Sequence, residues 1–294
     1  AVKIIECEDY DYSGGLFIND PPASGYLTNG TGPINSGSGY VDLAGTAGVD
    51  FYDRDSGPHV DENAYRSMDA VGTQQGNYGS FVYADGTSPV SIGYARFYDT
   101  QRSKYSSVNS ALQEYNVMRM EGSEWLNYTR VFDGARYYNA YLRAACGLAQ
   151  PVAFQHIGAG PTTNALGRFD VPSTFYHHNY QYVPLRSANG GLAVVNLSGT
   201  STVRLLLDSP PNDATKQGLV MNYVALVPAI PQVESAAEVN GVYAPETNVL
   251  VDAGARKITV PRSGTTRFYR IAWTQQAQIT GIGLAGENVV LSYQ

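Results

Sequence analysis

The sequence predicts an all-β protein, and three observations carry that expectation. Gly, Tyr, Ser, Thr and Asn are abundant, whereas only 15% of the 294 residues are charged. That composition suits half-buried strands joined by tight polar turns better than helices. Short apolar runs alternate with period two and stop at Gly, Asn, Pro or Ser, the pattern of a sandwich rather than of a parallel sheet. Helical spacing occurs only in the brief VNSALQEYNVM (108–118).

The elements follow in chain order. VKIIECEDY (2–10) alternates so that Ile5, Cys7 and Asp9 point one way and Ile4, Glu6, Glu8 and Tyr10 the other. Glu6 and Glu8 are then neighbours on one face. From Gly14 to about Thr87 the chain is rich in Gly, Asp, Asn and Pro, and turns or ions should order it. Within it, Asp50, Asp53, Asp55, Asp61 and Glu62 lack the spacing of an EF-hand and read as a solvated turn. A dense series of strands follows: SPVSIGYARFY (88–98), QEYNVMRM (113–120), EWLNYTRVF (124–132), ARYYNAYLRAAC (135–146), VAFQHIG (152–158), YQYVPLR (180–186), LAVVNLS (192–198), STVRLLLDS (201–209) and GLVMNYVALVP (218–228). The prolines and polar run of VPAIPQVESAAEVNG (227–241) look like a linker. Beyond it, NVLVDA, RKITV, TRFYRIAW, AQITGIGLAG and NVVLSY are five short strands, too few to be stable without packing on the first domain or on another chain.

A net charge of -7, a pI near 5.1 and the lack of any Lys/Arg run remove the electrostatic footprint that nucleic acid or an anionic membrane requires. No run approaches the roughly 20 apolar residues of a membrane span. Composition suits an extracellular or cell-surface chain from which a signal peptide has been removed. Cys7 and Cys146 are either one long-range disulfide or two buried thiols. Three sequons, at Asn29, Asn127 and Asn196, matter only in a glycosylating host.

Catalysis finds no support. No nucleophile elbow, phosphate loop, HExxH or dinucleotide fingerprint is present, and His59, His156, His177 and His178 have no nucleophile context. The expectation is that the protein is not an enzyme.

GSEWLNYTRVFDGARYYNAYLRAA (122–145) and STVRLLLDSPPNDATKQGLVMNYVALVP (201–228), with the acidic first strand, resemble the jelly-roll β-sandwich carbohydrate-binding modules of families six and thirty-five found in large secreted bacterial proteins. The likeness covers residues 1 to about 20 and 115 to 229. It implies a sandwich over 1–229 with a large insertion at about 25–114, then a linker and small β-domain over 230–294. It also implies that the first and last strands pair and hold a structural calcium ion, the matching positions being Glu6, Glu8 and Asn222. Two carboxylates on one face repel, and a hard cation with oxygen ligands removes that cost.

Sugar-binding members present aromatic rings in a loop cleft, because a flat ring stacks on the apolar face of a pyranose. Here Arg119 and His177 occupy two of the positions where relatives place aromatics. Tyr176 and Tyr180 flank His177 and supply replacement rings, while Arg119 and His177 suit the carboxylate or sulfate of an acidic glycan. Trp125 matches the family's tryptophan and is expected in the core.

Two functions follow. The first is a non-catalytic extracellular carbohydrate-binding or adhesion protein with a polysaccharide partner. The second is a structural subunit of a bacterial surface layer, sheath or filament, self-assembling through sheet edges or the C-terminal domain, with the sugar cleft out of use.

Overall fold

A computed structural model describes residues 2–22, 39–41, 43–54, 65–66, 68–75, 115–118, 120–158, 162–174, 180–209, 219–229, 231–246, 249–252, 255–262, 267–272 and 277–294. Arg119, Tyr176, His177 and the predicted strand at 88–98 lie outside them. Among the described residues every regular element is a strand, and all pairings between strands are antiparallel.

The first ten strands form one sheet system: β1 (Lys3–Glu6), β2 (Phe51–Tyr52), β3 (Gly72–Gln75), β4 (Tyr115–Met118), β5 (Trp125–Cys146), β6 (Gln150–Ile157), β7 (Thr163–Val171), β8 (Gln181–Arg186), β9 (Val195–Leu207) and β10 (Leu219–Pro228). Strand β5 organises it. Its first part pairs with β9, from Trp125 opposite Leu206 to Phe132 opposite Gly199, and its second part pairs with β10 and β8. Because β8, β7, β6 and β9 pair in series, the strands close into a ring around one core. The sequence suggested two strands broken at Asp133-Gly134, a dipeptide that often makes a hairpin turn. Instead the chain stays extended, and a register shift between Phe132 and Arg136 absorbs the irregularity.

Strand β7, polar and interrupted by Gly167, had no clear sequence signal. Gly167 has φ +152, and a Cβ there would lie 2.5 Å from the Arg186 carbonyl oxygen, so the β7–β8 approach needs glycine. Phe154 and Phe169, both buried, meet at 5.7 Å between ring centroids among Leu126, Leu142, Val183, Leu205 and Met221. Each such buried side chain contributes about 1.5–3 kcal/mol through removal of apolar surface from water.

The remaining strands are β11 (Gln232–Ala236), β12 (Ala244–Pro245), β13 (Leu250–Asp252), β14 (Lys257–Pro261), β15 (Phe268–Ala272), β16 (Ile279–Ala285) and β17 (Asn288–Tyr293). They make two sheets, ordered β12-β11-β15 and β13-β14-β17-β16. Val233, Ile258, Val260, Val289, Leu291 and Tyr293 form the core that the two sheets share. The stretch that looked like a linker therefore contains β11, and its Val233 is buried in that core. The flanking prolines concealed a strand that alternates correctly.

Candidate functional site

The pairing registers assemble a row of polar side chains across four strands. Glu6 on β1 faces Tyr223 on β10, Tyr223 faces Arg143 on β5, and Arg143 faces Tyr182 on β8. Directly opposed residues share a sheet face. A bulge in β10 between Met221 and Tyr223 inserts Asn222 beside the row. Arg143 Nη1 donates to Asn222 Oδ1, and Asn222 Nδ2 donates to the Tyr115 carbonyl at 2.9 Å.

The row runs from water to interior. Tyr182 is 56% exposed, whereas Arg143, Asn222, Tyr223 and Glu6 are all buried. The Tyr182 and Tyr223 hydroxyls are 2.5 Å apart, and their rings meet edge to face at 6.2 Å. The Arg143 guanidinium carbon lies 4.3 Å from the centroid of the half-buried Tyr180 ring and 5.7 Å from that of Tyr223. A cation at that distance from a ring is attracted to its π face. An exposed ring, Tyr182, thus lies two residues from a half-buried one, Tyr180, against which the Arg143 cation packs. Of the sequence-predicted sugar residues only Tyr180 is described; Arg143 packs on its ring, and Tyr182 faces Arg143 across the strand pair. The signal for Arg143 was one cation in the otherwise uncharged β-strand run YYNAYLRAAC.

The acidic opening segment is not a solvated edge. Glu6, Glu8, Asp9 and Asp11 are all buried. The strand ends at Glu6, so the predicted alternation stops there and Tyr10 turns into the core. Asp9 accepts from the Tyr65 hydroxyl at 3.0 Å. Asp11 accepts from the Thr129 amide and hydroxyl, both at 2.6 Å, and Arg130 Nη1 lies 3.8 Å away. Burial pushes the Asp11 carboxyl up to about 6, against the pull of the Thr129 hydrogen bonds and of Arg130. Arg66 donates to the carbonyls of Tyr10 and Asp11, pairs with Asp69 at 3.0 Å, and lies 3.8 Å from the Tyr10 ring centroid.

Asp50 was expected in a solvated turn, and that is corrected: it is fully buried and accepts from the amides of Gly14, Gly15 and Thr46. Carboxylates gathering backbone donors therefore order much of the described turn-rich region. No spacing in the sequence announced this, since the partners lie 4 to 36 residues away.

Glu6 and Glu8 flank Cys7, whose thiol is pushed well above its ordinary range by burial and then by these two carboxylates. Both carboxylates are buried, and a hard cation with oxygen ligands is one partner that such groups take. The Asn222 side-chain oxygen, by contrast, is occupied by Arg143, and its backbone oxygen accepts from the Cys7 amide at 2.8 Å. As arranged, the Asn222 amide does not join Glu6 and Glu8 as a third oxygen ligand. Among the described residues no group of three or more His, Cys, Asp or Glu side chains is arranged to hold a metal.

Cys7 and Cys146 are both buried free thiols, the second of the two alternatives. Cys7 follows β1 on one side of β10, while Cys146 ends β5 on the other, opposite Leu219. Two interstrand spacings of about 4.8 Å already exceed the roughly 7 Å reach of a disulfide between Cα atoms.

Trp125 is likewise corrected from core to surface. Leu126 beside it is buried, but Trp125 is only half-buried, with Tyr52 stacked at 6.4 Å and the Arg204 guanidinium carbon 3.7 Å from its ring centroid. The sequon residue Asn127 is buried and donates to the Val49 carbonyl, so it is closed to glycosylation in the fold.

No protein-family model matches the chain, and no curated protein matches it. Solved structures similar to it include several family 6 carbohydrate-binding modules, each over about 40% of the chain. One is a module from Clostridium stercorarium in complex with cellobiose, at 15% identity and TM-score 0.30, covering 39% of this chain and 75% of that one. Another is the C-terminal module of a marine laminarinase from Zobellia galactanivorans, at 22% identity and TM-score 0.30, covering 39% and 81%. A third is a β-1,3-glucan-binding module from Bacillus halodurans, at 18% identity and TM-score 0.31, covering 41% and 81%. The two sheets formed by β11 to β17 are additional to the sandwich. Among the described residues no helix is long and apolar enough to cross a membrane.

Proposed function

We propose that this protein is an extracellular, non-catalytic carbohydrate-binding and adhesion protein whose sugar platform is the Tyr180–Tyr182 pair. The observation that carries this reading is the exposure of Tyr182 beside Tyr180, with Arg143 packed against the Tyr180 ring. Tyr182 on β8 and Tyr180 just before it offer ring surface to a pyranose, and the Arg143 cation beside them favours an acidic glycan. Tyr176 and His177 precede Tyr180 by four and three positions, and with Arg119 they belong to the same proposal.

A glycan array of neutral and acidic polysaccharides should give a positive spot, and Tyr182→Ala should weaken that binding at least about tenfold while leaving the fold intact. An array negative throughout ends the reading. Glu6 and Glu8 would hold a calcium ion that relieves their mutual repulsion and braces β1 against β10. Melting should then occur at higher temperature in calcium than in chelator, and equal melting removes the ion from the proposal. A structural role in a surface layer, sheath or filament is supported by a different observation, the exposed apolar residues of β16.

A further inference from the structure

The two C-terminal sheets treat their edges unequally. Strand β12 has two residues and includes Pro245; β13 has three and includes Asp252; β15 carries Arg270, paired with Glu234 at 2.6 Å. Short length, proline and charge are the devices by which sheet edges avoid pairing with other chains. Strand β16, at the end of the order β13-β14-β17-β16, has none of them. It runs for seven residues as ITGIGLA, without charge or proline, and among the described residues it pairs only with β17.

Its side chains deepen the contrast. Ile282 faces Leu291 and Leu284 faces Val289 across the β16–β17 pair, so both lie on the face that forms the core. Leu291 and Val289 are buried, yet Ile282 is 66% and Leu284 69% exposed. Ile279, at the start of the strand, does pack on the core. The apolar face of the four-stranded sheet thus extends past the cover it receives from the rest of the chain.

We propose that β16 pairs antiparallel with β16 of a second copy of this chain about a two-fold axis at Gly283. A neutral strand meets itself without like-charge repulsion, whereas the Arg270 or Asp252 edge would not. Centring on Gly283 sets Ile282 opposite Leu284 of the partner subunit and Leu284 opposite Ile282 of the partner subunit. The four side chains then form one apolar strip continuous with both small cores, and the two sheets become one of eight strands. Gly283 has open space where a Cβ would point, so a side chain can be introduced at the axis. A seven-residue edge contact buries less than the roughly 1,200–2,000 Å² of a standard stable interface, so the dimer is concentration-dependent. The proposal stands independently of glycan binding.

Sedimentation velocity of the full chain over a concentration series is the test. The unaltered protein should pass from monomer to dimer. Ile282→Lys with Leu284→Lys should raise the dissociation constant at least about tenfold, without lowering the melting temperature because both positions are exposed. Leu250→Lys, on the far edge strand, should dimerise as before. Gly283→Cys should form a covalent dimer under oxidation, since the two native thiols are buried. A protein monomeric at every concentration, a double variant that still dimerises, or a Leu250 variant that does not, each overturns the proposal.

Discussion

The first ten strands and the last seven solve the same problem, covering apolar sheet faces, with different means. The larger unit seals its rim with buried polar chemistry: Arg66 and Arg130 are essentially inaccessible, and they hold Asp9, Asp11, Asp69 and the backbone carbonyls around them. Among the described residues the smaller unit has a core of six buried side chains and leaves Ile282 and Leu284 in solvent. A large core tolerates the desolvation of several charges, because apolar burial grows faster than surface as a domain enlarges. A unit of about sixty residues lacks that reserve, and an uncovered face is then available to a neighbour.

The sharpest way to break this contrast is to remove Arg66. Arg66→Met leaves the buried Asp69 carboxylate and two backbone carbonyls without their cation, and the expected loss is about 3–5 kcal/mol. Urea unfolding followed by tryptophan fluorescence should show it in the transition of the larger unit. Next in size, Leu291→Ala opens a cavity in the small core and should cost about 2–5 kcal/mol, with the transition of the C-terminal strands moving alone. If both variants shifted a single transition equally, the two units would be one cooperative body and the contrast would fail. Tyr293 of β17 lies near Tyr137 of β5, and the Ala229 amide donates to the Tyr137 carbonyl, so some coupling is expected.

The smallest effect is a pH dependence. The Asp11 carboxyl is raised to about 6 in the fold from an ordinary value of 3.8. Between these values the native state binds more protons than the unfolded chain, so this group's contribution to stability falls as pH rises from about 4 to about 6 and is level above. Asp11→Asn retains an acceptor for Thr129 and should flatten that part of the stability profile. A profile that the Asp11→Asn substitution leaves unchanged would show that the carboxyl is already ionised throughout.

How legible this was in the sequence differs by element. The five C-terminal strands and β10 were readable, because alternation and turn residues are local properties; the pairing of the opening segment with β10 came only from the family resemblance. Strand β11 was hidden by Pro228 and Pro231, and the continuity of β5 by Asp133-Gly134, since a local turn signal yields when strand neighbours on both sides reward extension. For the site, Glu6, Glu8 and Asn222 were named as one ion-binding set and Tyr180 as part of a separate sugar cleft. That Tyr182, Arg143 and Tyr223 join Tyr180 to Glu6 in one row was not readable, because a row is made by register across four strands.

The amino-acid order by itself determined the all-β class, the acidic first strand, the absence of a basic surface and most strand positions, since each depends on residues within a few places of one another. Only the tertiary structure decided that the acidic segment is buried, that its charges are met by Arg66, Arg130 and tyrosine hydroxyls, and that Trp125 faces out while Tyr10 faces in. Burial and partnership are properties of chain segments brought together from more than fifty residues apart, as Tyr65 is to Asp9 and Thr129 to Asp11. Long-range contact of that kind is set by the global minimum of packing and desolvation, which no local pattern encodes.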